Sequence, residues 1–153
     1  MKSNEVEAAN RAEVTALLIR AAYRVYRPEA DIDGEDVILG TPPGRLLRVQ
    51  QKPRPSVDRV RYEKRHLWML FPDPSGRVPG RAWYLVEHDT LLNYFLTHHG
   101  ETASLSQRGL WSAPVISSEL RQFLDPFVVR LAPESERGCL GYGPLPPDEM
   151  SLV

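Results

Sequence analysis

Cysteine is almost missing from this 153-residue chain: Cys139 stands alone. A single thiol can form no internal disulfide and leaves no cysteine-based zinc site to build. Long apolar runs are absent too, and none approaches the roughly 20 residues of a membrane-spanning helix. The opening MKSNEVEAAN lacks the apolar middle of a secretory signal, so the cytoplasm is the expected location. No internal repeat is present. Charge of either sign is not in excess: 19 basic against 20 acidic residues give a net charge of −1, which carries no global signal for a polyanionic partner. What is there, 42% hydrophobic and 25% charged residues, suits one soluble globular domain with a proper core.

The distribution of charge says more than its sum. Arg45, Arg48, Lys52, Arg54, Arg59, Arg61, Lys64 and Arg65 lie between residues 45 and 66, against only Asp58 and Glu63. Upstream, Glu5, Glu7, Glu13, Glu29, Asp31, Asp33, Glu35 and Asp36 lean acidic. A basic segment after an acidic cluster suits a polyanion held beside a cation site. The plain alternative is a solvated charged hairpin.

Residues from about Asn4 to Arg24 read as an amphipathic helix, with Val14, Leu17, Leu18, Ala21 and Val25 as its apolar stripe and Ser3 or Asn4 as N-cap. Pro28 disfavours helix before it, so Tyr23 to Tyr26 is an extended exit. A short strand, Asp36 to Leu39, ends in the turn Gly40-Thr41-Pro42-Pro43-Gly44. The next strand, Arg45 to Lys52, puts Leu47, Val49 and Gln51 on one face and Leu46, Arg48, Gln50 and Lys52 on the other. Pro53 and Pro55 stop it. HLWMLF (66–71) and AWYLV (82–86) are apolar runs suited to buried strands, joined as a hairpin by the Pro/Gly-rich loop between them. Asp89 to His98 and Ser117 to Phe127 read as helices, and the tail over 132–153 as loosely ordered. The order implies one α/β or α+β domain, residues 1–131, around a mixed sheet.

Cutting a phosphodiester needs a hard cation on oxygen ligands and a positive group near the developing charge. Asp36 opens one strand, and Gln50 and Lys52 sit two apart near the end of the next. Paired as a hairpin, the strands gather a carboxylate, an amide oxygen and an ammonium on one face. Glu13, on the first helix, reaches the same spot from across the sheet. The segment RAEVTALLIRAAYRVYRPEADIDGEDVILGTPPGRLLRVQQK resembles the core of the PD-(D/E)XK, restriction-endonuclease-like superfamily, in its branch similar to group I intron homing endonucleases. RAWYLVEHDTLLNYF is similar to the strand and helix that often follow, so the likeness spans roughly residues 10 to 98. The resemblance implies an α/β fold with a central mixed sheet flanked by helices. It implies an endonuclease that hydrolyses DNA with Mg²⁺ or Mn²⁺, acting as a homodimer. Asp36 and Gln50, with the backbone carbonyl after Gln50, would hold the metal, Lys52 would orient the water and Glu13 would assist. Arg48, Arg54, Arg59, Arg61, Lys64 and Arg65 would form the DNA-facing rim.

Three departures stand out. The usual Pro-Asp is Glu35-Asp36, Gln50 replaces an acid and so lowers the site's charge, and Gln51 is polar where an apolar residue is usual. A non-catalytic nuclease-fold module binding DNA or a protein is the alternative, since fold does not settle function. An interaction or immunity-type protein on the same scaffold has no positive signal. Elsewhere, the plain structural readings lead. His98 and His99 make a solvated helix end, and Asp89 in EHD is a cap or first-turn acid. Trp68, Trp83, Tyr84 and Trp111 are candidate base-stacking platforms, with core packing favoured for Trp68 and one of Trp83 and Tyr84, and Arg121 and Arg130 are ordinary helix-surface residues.

Overall fold

The computed structural model describes residues 1–30, 35–42 and 44–133. Asp31, Asp33, Gly34 and Pro43, and the expected tail from residue 134 on, lie outside the described residues. Ala132 still belongs to the folded body, because its N–H donates to the Arg20 carbonyl at 3.2 Å.

The first helix, α1, runs Ser3–Arg20, and Glu5 accepts from the Lys2 N–H at 2.8 Å. It buries Val14 and Leu18 and stops four residues short of expectation. Ala22 turns the chain with φ 73, and β1 (Arg24–Tyr26) follows as the extended exit. Then come β2 (Val37–Gly40) and β3 (Leu46–Gln51), paired antiparallel with Val37 opposite Val49. Next are β4 (Ser56–Asp58), the one-turn α2 (Arg59–Tyr62), β5 (Leu67–Pro72) and β6 (Trp83–Glu87). The chain continues with α3 (His88–His99), α4 (Ala103–Arg108), β7 (Leu110–Ser112) and α5 (Ser118–Leu124), the last capped by Ser117 and followed by a 3₁₀ turn over Asp125–Phe127.

The architecture is α/β. Five strands form a mixed sheet in the order β1-β2-β3-β5-β6, with β3 and β5 parallel and every other neighbour antiparallel. Alternation along the strands sorts two cores. Val37, Leu39, Leu47, Val49, Leu70, Trp83 and Leu85 face α1 and pack on Val14 and Leu18. Leu67, Met69, Phe71, Tyr84 and Val86 face the other way, against Leu91, Leu92 and Phe95 of α3 and Leu120 and Leu124 of α5. Trp83 and Tyr84 are therefore both core, on opposite faces.

The basic segment is not a solvated hairpin. β4 pairs with β7 as a separate two-stranded sheet, Ser56 opposite Ser112, and leads into α2. Gly109 makes that junction possible. Its φ of 69 suits glycine, a Cβ there would lie 2.8 Å from the Arg59 Cβ, and its carbonyl accepts from the Arg59 N–H at 2.7 Å. Among the described residues no helix is long and apolar enough to cross a membrane.

Candidate active site

Where β2 begins, β3 ends. Asp36 lies one residue before β2 and its N–H donates to the Val49 carbonyl at 2.8 Å, which extends the ladder to the position beside Gln50. The Asp36 carboxylate turns over the end of β3. Its Oδ2 accepts from Gln50 Nε2 at 2.8 Å and from the Gln51 N–H at 3.1 Å. Lys52 is anchored through its own N–H to the Leu70 carbonyl at 2.9 Å, so the strand direction persists past Gln51. These residues, with Pro53, form one wall of a cleft of about 510 Å³, and the N-terminal half of α1 forms the other through Glu7, Asn10 and Arg11.

Asp36, Gln50 and Lys52 are thus brought together as the alternation of β3 implied. Gln50 is only 7% exposed, and its Oε1 is buried with no hydrogen-bond partner among the described residues. Gln51 Oε1 is in the same condition. A buried acceptor without a donor is costly. Asp36, Gln50 and Gln51 all line the one cleft, and their side chains carry the hard oxygen donors that suit Mg²⁺ or Mn²⁺. The set is poor in charge, and among the described residues no group of three or more His, Cys, Asp or Glu could hold a metal ion. The residues present fit such an ion through Asp36 and Gln50, with one carboxylate and amide oxygens in place of several acids.

Charge around the cleft is mixed. The Arg11 guanidinium meets Glu7 at 3.2 Å, and Arg27 donates to Thr15 Oγ1 at 2.8 Å. Burial, and then the neighbouring charge of Arg11, hold the Arg27 guanidinium below its ordinary pKa, while Asp36 works in the opposite direction. The Lys52 ammonium lies 5.8 Å from the centre of the Tyr62 ring.

Glu13 is not brought to this cleft. Its carboxylate is held in a bidentate pair by Arg81, at 2.8 and 2.9 Å, and accepts the Trp83 indole N–H at 2.5 Å. Burial alone would raise its pKa, but the hydrogen bonds from Arg81 and Trp83 and the guanidinium charge leave it lowered. Glu13 is a clamp between α1 and the sheet. The acid that α1 turns to the cleft is Glu7. Glu7, Asn10 and Arg11 stand at the i, i+3, i+4 spacing of one helix face, a signal that could have found them. The signal for Gln51 was its polarity on the inward face of β3.

The proposed rim divides in two. Arg48 pairs with Glu35 at 3.6 Å and donates to the Arg65 carbonyl at 3.4 Å, and Arg59 pairs with Glu63 at 2.7 Å. Arg54, Arg61, Lys64 and Arg65 are exposed and form no salt bridge among the described residues. Lys64 and His66 sit in the left-handed region, φ 61 and 55, and Asp89 Oδ2 fixes that loop by accepting the Lys64 N–H at 2.9 Å.

The histidines keep structural roles. His88 is fully buried. Its Nε2 accepts the Asp58 N–H at 3.1 Å, so Nδ1 carries the proton toward Asp89 Oδ1 at 2.9 Å. Asp89 is a first-turn acid of α3, as expected. His98 pairs with Glu119 at 2.9 Å rather than standing in solvent alone, and His99 stacks on Trp111. Arg121 is exposed but bound to the buried Asp73 at 3.0 Å. Set against known protein families, curated proteins and solved structures, the chain matches none.

Proposed function

We propose that the chain is a metal-dependent endonuclease that hydrolyses DNA phosphodiester bonds at the cleft of Asp36, Gln50 and Lys52. One observation carries the reading: Asp36, Gln50 and Lys52 line one cleft, where Gln50 Nε2 holds the Asp36 carboxylate and the Gln50 amide oxygen has no hydrogen-bond partner among the described residues. A Mg²⁺ or Mn²⁺ ion on Asp36 and Gln50 would polarise the phosphoryl group and lower the pKa of the attacking water. The chain's own residues do the rest. Asp36, fixed by the Gln50 amide and the Gln51 N–H, presents its carboxylate in one orientation. Lys52 supplies the positive charge that offsets charge developing on the phosphate. In the reaction a water oxygen bonds to phosphorus, one phosphorus–oxygen ester bond breaks, and the departing oxygen leaves with a proton. The mixed sheet between α1 and the α3–α5 layer is compatible with a restriction-endonuclease-like fold. Cutting both strands of a duplex takes two such sites, so a homodimer belongs to this reading.

A second reading, a nuclease-fold module that binds DNA or a protein without turnover, is favoured by one contact. Gln50 Nε2 already occupies Asp36 Oδ2, so the pair is satisfied in part without a cation. Supercoiled plasmid separates the two. Wild type with Mg²⁺ or Mn²⁺ is expected to nick it, and Asp36→Ala and Lys52→Ala to lose about 10²–10³-fold or more. Salt-dependent binding without any nicking hands the decision to the module.

A further inference from the structure

Lys52 lines two cavities. Beyond it, away from the cleft, lies a pocket of about 300 Å³ whose walls include Tyr62, Trp111, Asp58 and the hydroxyls of Ser56, Ser104 and Ser112. Nothing in the proposed hydrolysis uses this pocket, although it shares a wall with the cleft.

Its construction is specific. Trp111 stacks on His99, ring centres 4.4 Å apart and planes 15° apart, which restrains the indole. Its N–H is buried with no partner among the described residues. Ser56 and Ser112 face each other across the β4–β7 pair, their oxygens 3.1 Å apart, and Ser104 donates to the Leu110 carbonyl at 2.7 Å. Each hydroxyl keeps lone pairs for a further donor. Asp58 contributes a carboxylate, one oxygen of which caps α2 through the Arg61 N–H. A partly exposed indole and hydroxyls with an acid among them disfavour a phosphate and suit a planar, polar-edged ring.

We propose that this pocket takes a single unstacked nucleobase, belonging to the nucleotide whose phosphate lies against Lys52 in the neighbouring cleft. The inference rests on the nuclease reading only in taking Lys52 as the phosphate-facing group. A base is separated from its own phosphate by one sugar, which matches two cavities divided by one side chain. The exposed Arg54 just precedes β4 and the exposed Arg61 lies in α2, so both are close in sequence to the pocket's lining residues and available to a nucleic-acid backbone. The preferred substrate is therefore single-stranded DNA, or a duplex with a frayed, flapped or extruded nucleotide, rather than a continuous base-paired stack.

Binding without metal tests this separately from turnover. The probes are a ten-nucleotide single strand, its blunt duplex, and a ten-residue abasic strand, each titrated in EDTA at one fixed salt concentration. The single strand is expected to bind roughly tenfold or more tightly than the abasic strand, and more tightly than the duplex. Trp111→Ala is expected to erase that difference, and Trp111→Phe, which keeps a stacking ring, to retain most of it. Because Trp111 also packs on Phe95 and His99, Ser112→Phe provides a second block. It places a strand-compatible ring at an exposed position lining the pocket. With folding verified by circular dichroism, Ser112→Phe is also expected to lower single-strand binding to the abasic level. Equal binding of the normal and abasic strands, or discrimination that survives both Trp111→Ala and Ser112→Phe, overturns the pocket. A protein that cuts neither plasmid nor the single strand with Mg²⁺ or Mn²⁺ yet shows this pattern loses the nuclease reading and keeps the pocket.

Discussion

Gln50 has to satisfy two demands at once. Its amide nitrogen steadies the Asp36 carboxylate, and its amide oxygen is buried without a donor among the described residues. Gln50→Glu separates these roles. Without a cation, two carboxylates within hydrogen-bond reach repel, and the variant is expected to lose about 1–2 kcal/mol of stability near neutral pH. With Mg²⁺ or Mn²⁺ the second carboxylate strengthens the hard-oxygen set, so the ion should raise the melting temperature more in Gln50→Glu than in wild type. Thermal shift against a divalent-ion titration measures both, and an ion response no larger in the variant would remove Gln50 from the ligand set. This pair was legible in the sequence because strict alternation along β3 puts Gln50 and Lys52 on one face, next to the start of β2. Glu13 was misplaced for a physical reason. A helical glutamate read alone has no visible partner, and Arg81 and Trp83, 68 and 70 residues away, supply one only after folding.

At the scale of elements, the same Glu13 contact is the polar lock between α1 and β6. Arg81 also donates to Asn10 Oδ1 at 2.8 Å, so one guanidinium bridges two turns of the helix. Glu13→Ala leaves the Arg81 guanidinium with Asn10 alone and the Trp83 N–H without its acceptor, and is expected to cost about 2–3 kcal/mol in urea unfolding. The sign of the pH dependence follows from the lowered carboxyl pKa. The stabilisation is fully present above the ordinary carboxylate value and is lost as pH falls through the lowered folded-state value. Wild type should therefore lose more stability than Glu13→Gln between about pH 5 and about pH 3, and parallel curves for the two would contradict the lock. Elements of this length differed in how well the sequence announced them. β5 and β6 were legible from continuous apolar runs, because both faces of those strands are covered. β4, α2, α4 and β7 were not. They are three to six residues long, and β4 and β7 exist by pairing with each other across more than fifty residues, which no local pattern encodes. The same omission hid the second pocket, whose walls those elements supply.

For the whole molecule, a net charge of −1 means that any DNA affinity has to come from where the positive charges sit and which of them are already used. Arg48 and Arg59 are committed to Glu35 and Glu63, whereas Arg54, Arg61, Lys64 and Arg65 are exposed without an ion pair among the described residues. Neutralising a phosphate releases counterions, and the slope of log affinity against log salt falls by about 0.9 for each duplex phosphate that is no longer neutralised. Arg61→Ala and Arg54→Ala are each expected to flatten that slope by roughly this amount and to weaken binding similarly for unrelated sequences. Arg59→Ala is expected to change it much less, because the guanidinium it removes already answers Glu63 at 2.7 Å. Fluorescence anisotropy with one labelled duplex across a salt series measures all three variants. Were Arg59→Ala to flatten the slope as much as Arg61→Ala, the internal pairing would not govern which arginines meet the backbone. Were no variant to alter it, residues 54–65 would not be the surface that holds DNA.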